Sequence, residues 1–236
     1  MQGRFIWSNQ NHHHLITCES EIHPVSMPDP NLSLAVLIQI LDLFGTMAFA
    51  VTGAFKAIEH QSDIVGIIIL STITGVAGGV LRDIIFGKLP PTAVVNPLYI
   101  IITVSTGLVI FLLYPAFKKH RNLFLKFDAV GLGVFTVIGS AFAYNMFGLN
   151  FLAMSFAGML TAIGGGILRD VFVSEIPIVF TKEFYASASF IGVMILFVML
   201  SININLTLAS IPTIAIVTSI RLIAMKFKWN LPRARI

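Results

Sequence analysis

Forty consecutive residues, Ala129 to Leu168, pass without a charge, and thirty-seven more, Phe184 to Ile220, do the same. A water-soluble fold has no use for such runs, whereas a membrane helix needs about 20 mostly apolar residues. Each run is long enough for two spans. The first divides at Asn145–Asn150 and the second at Ser201–Asn205, where Asn and Gly mark turns. Upstream, Leu32 to Phe55 carries one charge, Asp42, while Ile64 to Leu81 and Leu89 to Phe117 carry none. The spacing predicts seven spans, at 34–56, 64–86, 97–115, 124–145, 150–173, 184–202 and 206–226.

The 236-residue composition agrees: 56% hydrophobic, 11% charged, with a mean hydropathy of +0.90. Soluble domains carry about 25% charged residues. A soluble enzyme, a nucleic-acid-binding domain and a disordered chain are excluded, and no enzymatic activity is expected. The pI near 9.4 comes with a net charge of only +4, and the basic residues sit at span ends. The single cysteine, Cys18, excludes an intrachain disulfide or a cysteine-based metal cluster.

Lys/Arg residues in short loops mark the cytoplasmic side. The loop at 118–127 holds Lys118, Lys119, Arg121 and Lys126, and the tail at 227–236 holds Lys228, Arg233 and Arg235 just after Lys226. Lys56 and Lys182 fall on the same side if the spans alternate. The N-terminus is therefore expected outside and the C-terminus inside. Residues 1–33 form a polar tail, expected to be disordered, with no apolar run of signal-peptide type. Its histidines (His12, His13, His14 and His23) read as a solvated tail, and Met27 reads as an alternative start. Asn31 and Asn205 open glycosylation patterns too close to the membrane to use.

The chain also repeats itself. Asp42, Gly45, Phe49 and Gly53 match Asp128, Gly131, Phe135 and Gly139 at an offset of 86 residues. Gly78-Gly79-Val80-Leu81-Arg82-Asp83 matches Gly165-Gly166-Ile167-Leu168-Arg169-Asp170 at an offset of 87, as Pro90 matches Pro177. The copies lie in 34–117 and 128–202. Three spans is an odd number, so the second copy enters the membrane from the opposite face. The predicted fold is all-α: a polytopic membrane protein of seven helices, a three-plus-three inverted-topology repeat and a seventh helix. Inverted repeats are common in transporters, with the path at the repeat interface. The seventh helix, outside the repeat, is expected at the periphery.

The glycine runs allow two readings. Gly75 and Gly79, like Ala162 and Gly166, are small residues four apart, the spacing for close packing of membrane helices. Alternatively Gly75, Gly78, Gly79, Gly164, Gly165 and Gly166 break or kink their helices, since each glycine costs about 1 kcal/mol relative to alanine. Carbonyls freed there would have to line a wet cavity. Matching runs in both copies favour the break beside a path, and the two readings are compatible.

Arg82-Asp83 and Arg169-Asp170 follow the glycines. Either each arginine snorkels to the interface, or it stands in a pore mouth paired with its neighbouring aspartate or with Asp42 or Asp128. By inverted symmetry one arginine lies near each face. Asp42 is deep in its span and is expected in a buried pair. Asp128, at a helix start, is expected to be a carboxylate favoured by the helix dipole. Ser71, Thr72, Thr74, Ser155 and Thr161 precede the glycines; their hydroxyls either line a polar path or bond their own helix carbonyls.

The doubled Gly-Gly-x-x-Arg-Asp element, with its Asp…Gly…Phe…Gly lead, resembles the prokaryotic trimeric intracellular cation channels, a family also described as a glycine-transporter domain. The resemblance covers about Leu34 to Met225. It implies a homotrimer in the lipid bilayer of a prokaryotic plasma membrane, with one ion path per subunit beside spans two and five. It also implies passive flow of monovalent cations, mainly potassium with sodium permeant, and no cofactor beyond those ions. Gly78, Gly79, Gly165 and Gly166 would be the kink residues, with Arg82, Asp83, Arg169 and Asp170 the polar residues beside them. The inositol-lipid site of animal members finds no matching motif here.

No metal-ligand spacing, phosphate-binding loop or buried span-seven lysine for a retinal is present in the sequence. The alternative to a channel is a secondary transporter of a small zwitterion such as glycine.

Overall fold

A computed structural model describes residues 32–117, 122–181, 184–227 and 229. The polar tail before Leu32, most of the basic tail, Lys182, and Lys118, Lys119 and Arg121 lie outside the described residues. Among the described residues the fold is entirely helical. It runs α1 Leu32–Glu59, α2 Ile64–Ile85, α3 Thr92–Val95, α4 Pro97–Phe117, α5 Asn122–Phe147, α6 Phe151–Phe172, α7 Ile178–Thr181, α8 Ala186–Ser201 and α9 Leu206–Phe227. Six of these are long and apolar enough to cross a membrane, and α8 is a shorter apolar helix. These are the seven expected spans. The sixth starts at Ala186 rather than 184 because Phe184 has a φ of 56°. That left-handed backbone cannot continue into a right-handed helix.

The inverted repeat is carried down to the caps. Asp63 Oδ1 accepts from Gly66 N at 2.7 Å to start α2, and Asn150 Oδ1 accepts from Ala153 N at 3.1 Å to start α6. These residues are 87 apart. A polar side chain there satisfies one of the orphan N–H groups of the first turn. After each Arg-Asp pair the chain reverses the same way, through Gly87 (φ 75°) or Ser174 (φ 58°). Lys88 N then bonds Asp83 O at 2.8 Å, and Glu175 N bonds Asp170 O at 2.9 Å. A one-turn helix follows each reversal, α3 and α7. Four residues are too few to show a helical period, so the sequence reading missed both.

The halves meet along α1, α2, α5 and α6. Phe49 of α1 and Phe135 of α5, equivalent in the repeat, pack at the centre with ring centroids 5.1 Å apart. The α2–α6 crossing is closer still. A Cβ on Gly78 would stand 2.1 Å from Thr161 O, and one on Gly165 would stand 2.5 Å from Thr74 O. Only hydrogen fits at either point.

The seventh helix lies on the flank of the second repeat, with 33% of its span buried. α9 packs on α5 and α8, seated on Gly133 and Gly192, where an added Cβ would strike Thr218 at 2.7 Å and Val217 at 2.2 Å. It also inserts the buried Arg221.

Candidate functional site

Each repeat builds a polar cluster at the C-terminal end of its second helix. In the first, Arg82 donates to Asp83 Oδ1 through Nε at 2.9 Å and Nη2 at 2.7 Å. The other oxygen of Asp83 accepts from Thr92 N and Thr92 Oγ1, both at 2.8 Å. Asp83 thus holds the arginine and caps α3 at once. The guanidinium lies over Phe142, its Cζ 4.5 Å from the ring centroid. Asp42 accepts a short hydrogen bond from the Tyr99 hydroxyl.

In the second, Arg169 Nε donates to Asp170 Oδ1 at 2.8 Å, and Asp170 Oδ2 accepts from Ile178 N at 2.8 Å to cap α7. Arg169 Nη1 donates to Asp128 Oδ1 and Thr52 Oγ1, each at 2.9 Å. The guanidinium lies over Phe124 at 4.8 Å. This cluster is sealed: Arg169 is 0% exposed, Asp128 and Asp170 1%, and Tyr185 2%.

Both arginines are therefore buried and ion-paired rather than snorkelled. Pairing answers the cost of a buried charge, because the alternative is an unsolvated cation in hydrocarbon. The two carboxylates in the first helix of each repeat behave opposite to expectation. Asp128 makes the buried pair with an arginine, while Asp42 binds a tyrosine. Asp128 reaches Arg169 because the second turn of α5 lies beside the end of α6, so its place near the helix start does not expose it.

The glycines also divide. Both helices continue through their runs, so neither breaks into two half-helices. Gly78 and Gly165 serve the close crossing. Gly75 is packed under Thr103 and Thr46 at 2.8–3.0 Å, and Gly164 under Leu81 at 3.1 Å. Gly79 and Gly166 have the arginine side chains of the polar clusters as neighbours, and Gly75 joins Gly79 in lining the first cluster. The nearest atom to a Cβ on Gly79 is Arg82 Nη2 at 3.9 Å, and a Cβ on Gly166 would meet Tyr185 Oη at 3.2 Å and Arg169 Nη2 at 3.7 Å.

The first cluster opens into a small cleft lined by Asp42, Thr46, Gly75, Gly79, Arg82, Asp83 and Tyr99 among others. None of the expected hydroxyls lines it. Thr74 and Thr161 bond carbonyls of their own helices at 2.6 Å, the common fate of helical threonines. Ser71 ties α2 to Ala50 O and Thr103 O at 3.0 Å. Thr72 and Ser155 have buried hydroxyls without a hydrogen-bond partner. Thr46 and Thr92 line the cleft instead.

Tyr99, Tyr185 and Arg221 are cluster residues that the sequence reading missed. The tyrosines had a signal, since they are 86 residues apart, the offset of the aspartates they accompany. Arg221, beyond the repeat, had none.

In the last turn of α1, Lys56 donates to Glu175 of the loop after α6, which also meets His60 Nε2 at 2.8 Å. The hydrogen bond from Lys56, reinforced by His60, holds the Glu175 carboxyl below its ordinary range. This tie joins the end of α1 to the loop after α6.

A family model described as glycine transporter matches the chain twice, over residues 39–115 and 125–201. The chain belongs to that family. Its relatives include the UPF0126 inner membrane protein YadS of Escherichia coli K12, 32% identical over 199 residues, or 84% of this chain and 96% of that one. Among solved structures, a TRIC cation channel superposes with a TM-score of 0.77 at 34% identity, covering 84% of this chain and 97% of that chain. The TRIC trimeric intracellular cation channel orthologue from Rhodobacter sphaeroides gives 0.78 at 29% identity, covering 82% and 100%. The resemblance read from the doubled motif is thus shown. The protein is an integral membrane protein of the glycine-transporter family whose structural neighbours are cation channels.

Proposed function

We propose that the protein is a homotrimeric, potassium-permeable cation channel of a prokaryotic plasma membrane, with one path in each subunit. The observation that carries the reading is the cleft beside Asp42. It lies at the end of α2, against Gly75, Gly79 and Arg82, and the repeat supplies a second, sealed cluster at the end of α6. Carboxylates, a hydroxyl and backbone at the mouth favour a cation over bulk anions. The paired arginines keep the clusters polar without offering an uncompensated positive charge.

Sodium would pass the same route, and no cofactor is needed for passive flow. The charge bias of the loops supports an outer N-terminus and cytoplasmic C-terminus. On that reading Cys18 is labelled by a membrane-impermeant thiol reagent in intact cells, and protection of Cys18 there overturns the orientation.

The family description favours one competitor, a glycine carrier. The separating experiment is ion flux in liposomes holding the purified full chain under a potassium gradient. The channel reading expects fast, voltage-driven potassium flux and a particle containing three 25.8 kDa chains. Saturable glycine uptake without potassium flux overturns it.

A further inference from the structure

The two clusters are built from equivalent residues, yet the first borders a cleft beside the half-buried Asp42 and the second is latched. In the first, Tyr99 donates to Asp42, and Arg82 is left to Asp83 and Phe142. In the latched one, Asp128 instead accepts from Arg169, joined by Thr52. The Tyr185 hydroxyl is buried beside Gly166 and Arg169 without a formed hydrogen bond. Asp42 and Asp128 have thus made opposite choices between a tyrosine and an arginine.

One contact separates the two tyrosines. The Arg221 guanidinium lies over the Tyr185 ring, its Cζ 4.6 Å from the centroid. Among the described residues no cation lies so placed over Tyr99. Arg221 comes from α9, which has no counterpart in the repeat. We infer that Arg221 is a positioning residue for the path: by holding the Tyr185 ring it leaves Asp128 to Arg169 and latches the end of α6. The seventh helix then turns a symmetric repeat into an asymmetric one, with one mouth open at rest and the other shut. The inference rests on the proposed path through each subunit. A desolvated cation over an aromatic ring is a modest attraction, enough to bias a two-state latch without making it permanent.

The test reads the latch without reading current. In a Cys18→Ser background, Thr92→Cys places a thiol in the half-buried lining of the cleft, and Thr52→Cys places one in the latched cluster, where Thr52 is 0% exposed. The detergent-solubilised full chain is labelled with a maleimide, so that both ends are reached. Thr92→Cys is expected to react quickly and Thr52→Cys slowly. Adding Arg221→Gln is expected to speed Thr52→Cys about tenfold, while Arg221→Lys, which keeps a cation over the ring, holds it within about twofold.

Equal protection with Arg221→Gln, or equal acceleration by Arg221→Lys, overturns the inference. If Arg221→Gln fails to give a monodisperse protein, the ring is changed instead. Tyr185→Phe keeps the stack and is expected to stay slow, whereas Tyr185→Leu is expected to react fast. A slow Tyr185→Leu overturns the inference equally. Failure of the channel reading shows as absent potassium flux, and failure of this one shows in the labelling.

Discussion

Replacing Gly78 with alanine tests what the glycine runs are for. A Cβ there would lie 2.1 Å from Thr161 O, and the matching Cβ on Gly165 would lie 2.5 Å from Thr74 O. Both obstacles are backbone carbonyls, which cannot rotate away. Relief requires α2 and α6 to move apart by about an ångström, at the crossing that holds the repeats together. Overpacking of a closed interface costs about 1–3 kcal/mol, here at the upper end. Alanine regains about 1 kcal/mol of helix propensity. The net loss is about 2 kcal/mol, or about 4–8 °C in melting temperature for a chain of this length. Gly79→Ala is the control, because its Cβ meets nothing closer than Arg82 Nη2 at 3.9 Å. It is expected to melt at or slightly above the parent. The assay is thermal unfolding in detergent, followed by loss of the monodisperse peak. Gly78→Ala melting within about 2 °C of the parent would refute the reasoning. So would Gly79→Ala falling as far as Gly78→Ala, since the crossing would then not distinguish the two glycines.

Three further outcomes follow from the clusters. Asp83→Asn and Asp170→Asn each break a buried pair and uncap a one-turn helix, so both are expected to cost about 3–5 kcal/mol; yield of folded protein checks this, and normal yield contradicts it. Glu175→Gln removes the tie to Lys56 and His60. With a depressed carboxyl, that tie stabilises above the usual value of 4.5 and is lost as pH falls through the depressed one. The Glu175 side chain is 39% exposed, so the gain is under about 1 kcal/mol; parent and variant melting curves should differ at neutral pH and converge as pH falls through the depressed value. Asp42→Asn removes the carboxylate of the open cleft and is expected to lower potassium conductance by about 2–10-fold. Unchanged conductance would place the entry elsewhere.

Much of this architecture is legible in the residues, because the membrane imposes it. Uncharged runs set the spans, and odd-numbered copies set the inversion. The Arg-Asp pairs were visible because charges in such a chain are few. The partners of those charges were not visible. Whether Asp42 or Asp128 meets an arginine depends on which helix ends lie side by side, and that is a tertiary fact. The glycines misled for the same reason. A Gly-Gly pair that breaks a helix and one that admits a neighbouring carbonyl have the same sequence, and only the position of Thr161 O beside Gly78 tells them apart. Arg221 was hidden among span-end basic residues, although it is only 2% exposed.

The central claim is that each subunit carries a wet, passive path for cations. Single-channel recording of the purified full chain in a planar bilayer, with potassium on both sides, tests it most directly. The account predicts unitary potassium currents of picoampere size that Asp42→Asn reduces. A silent bilayer from a monodisperse trimer that takes up glycine saturably in liposomes would contradict it.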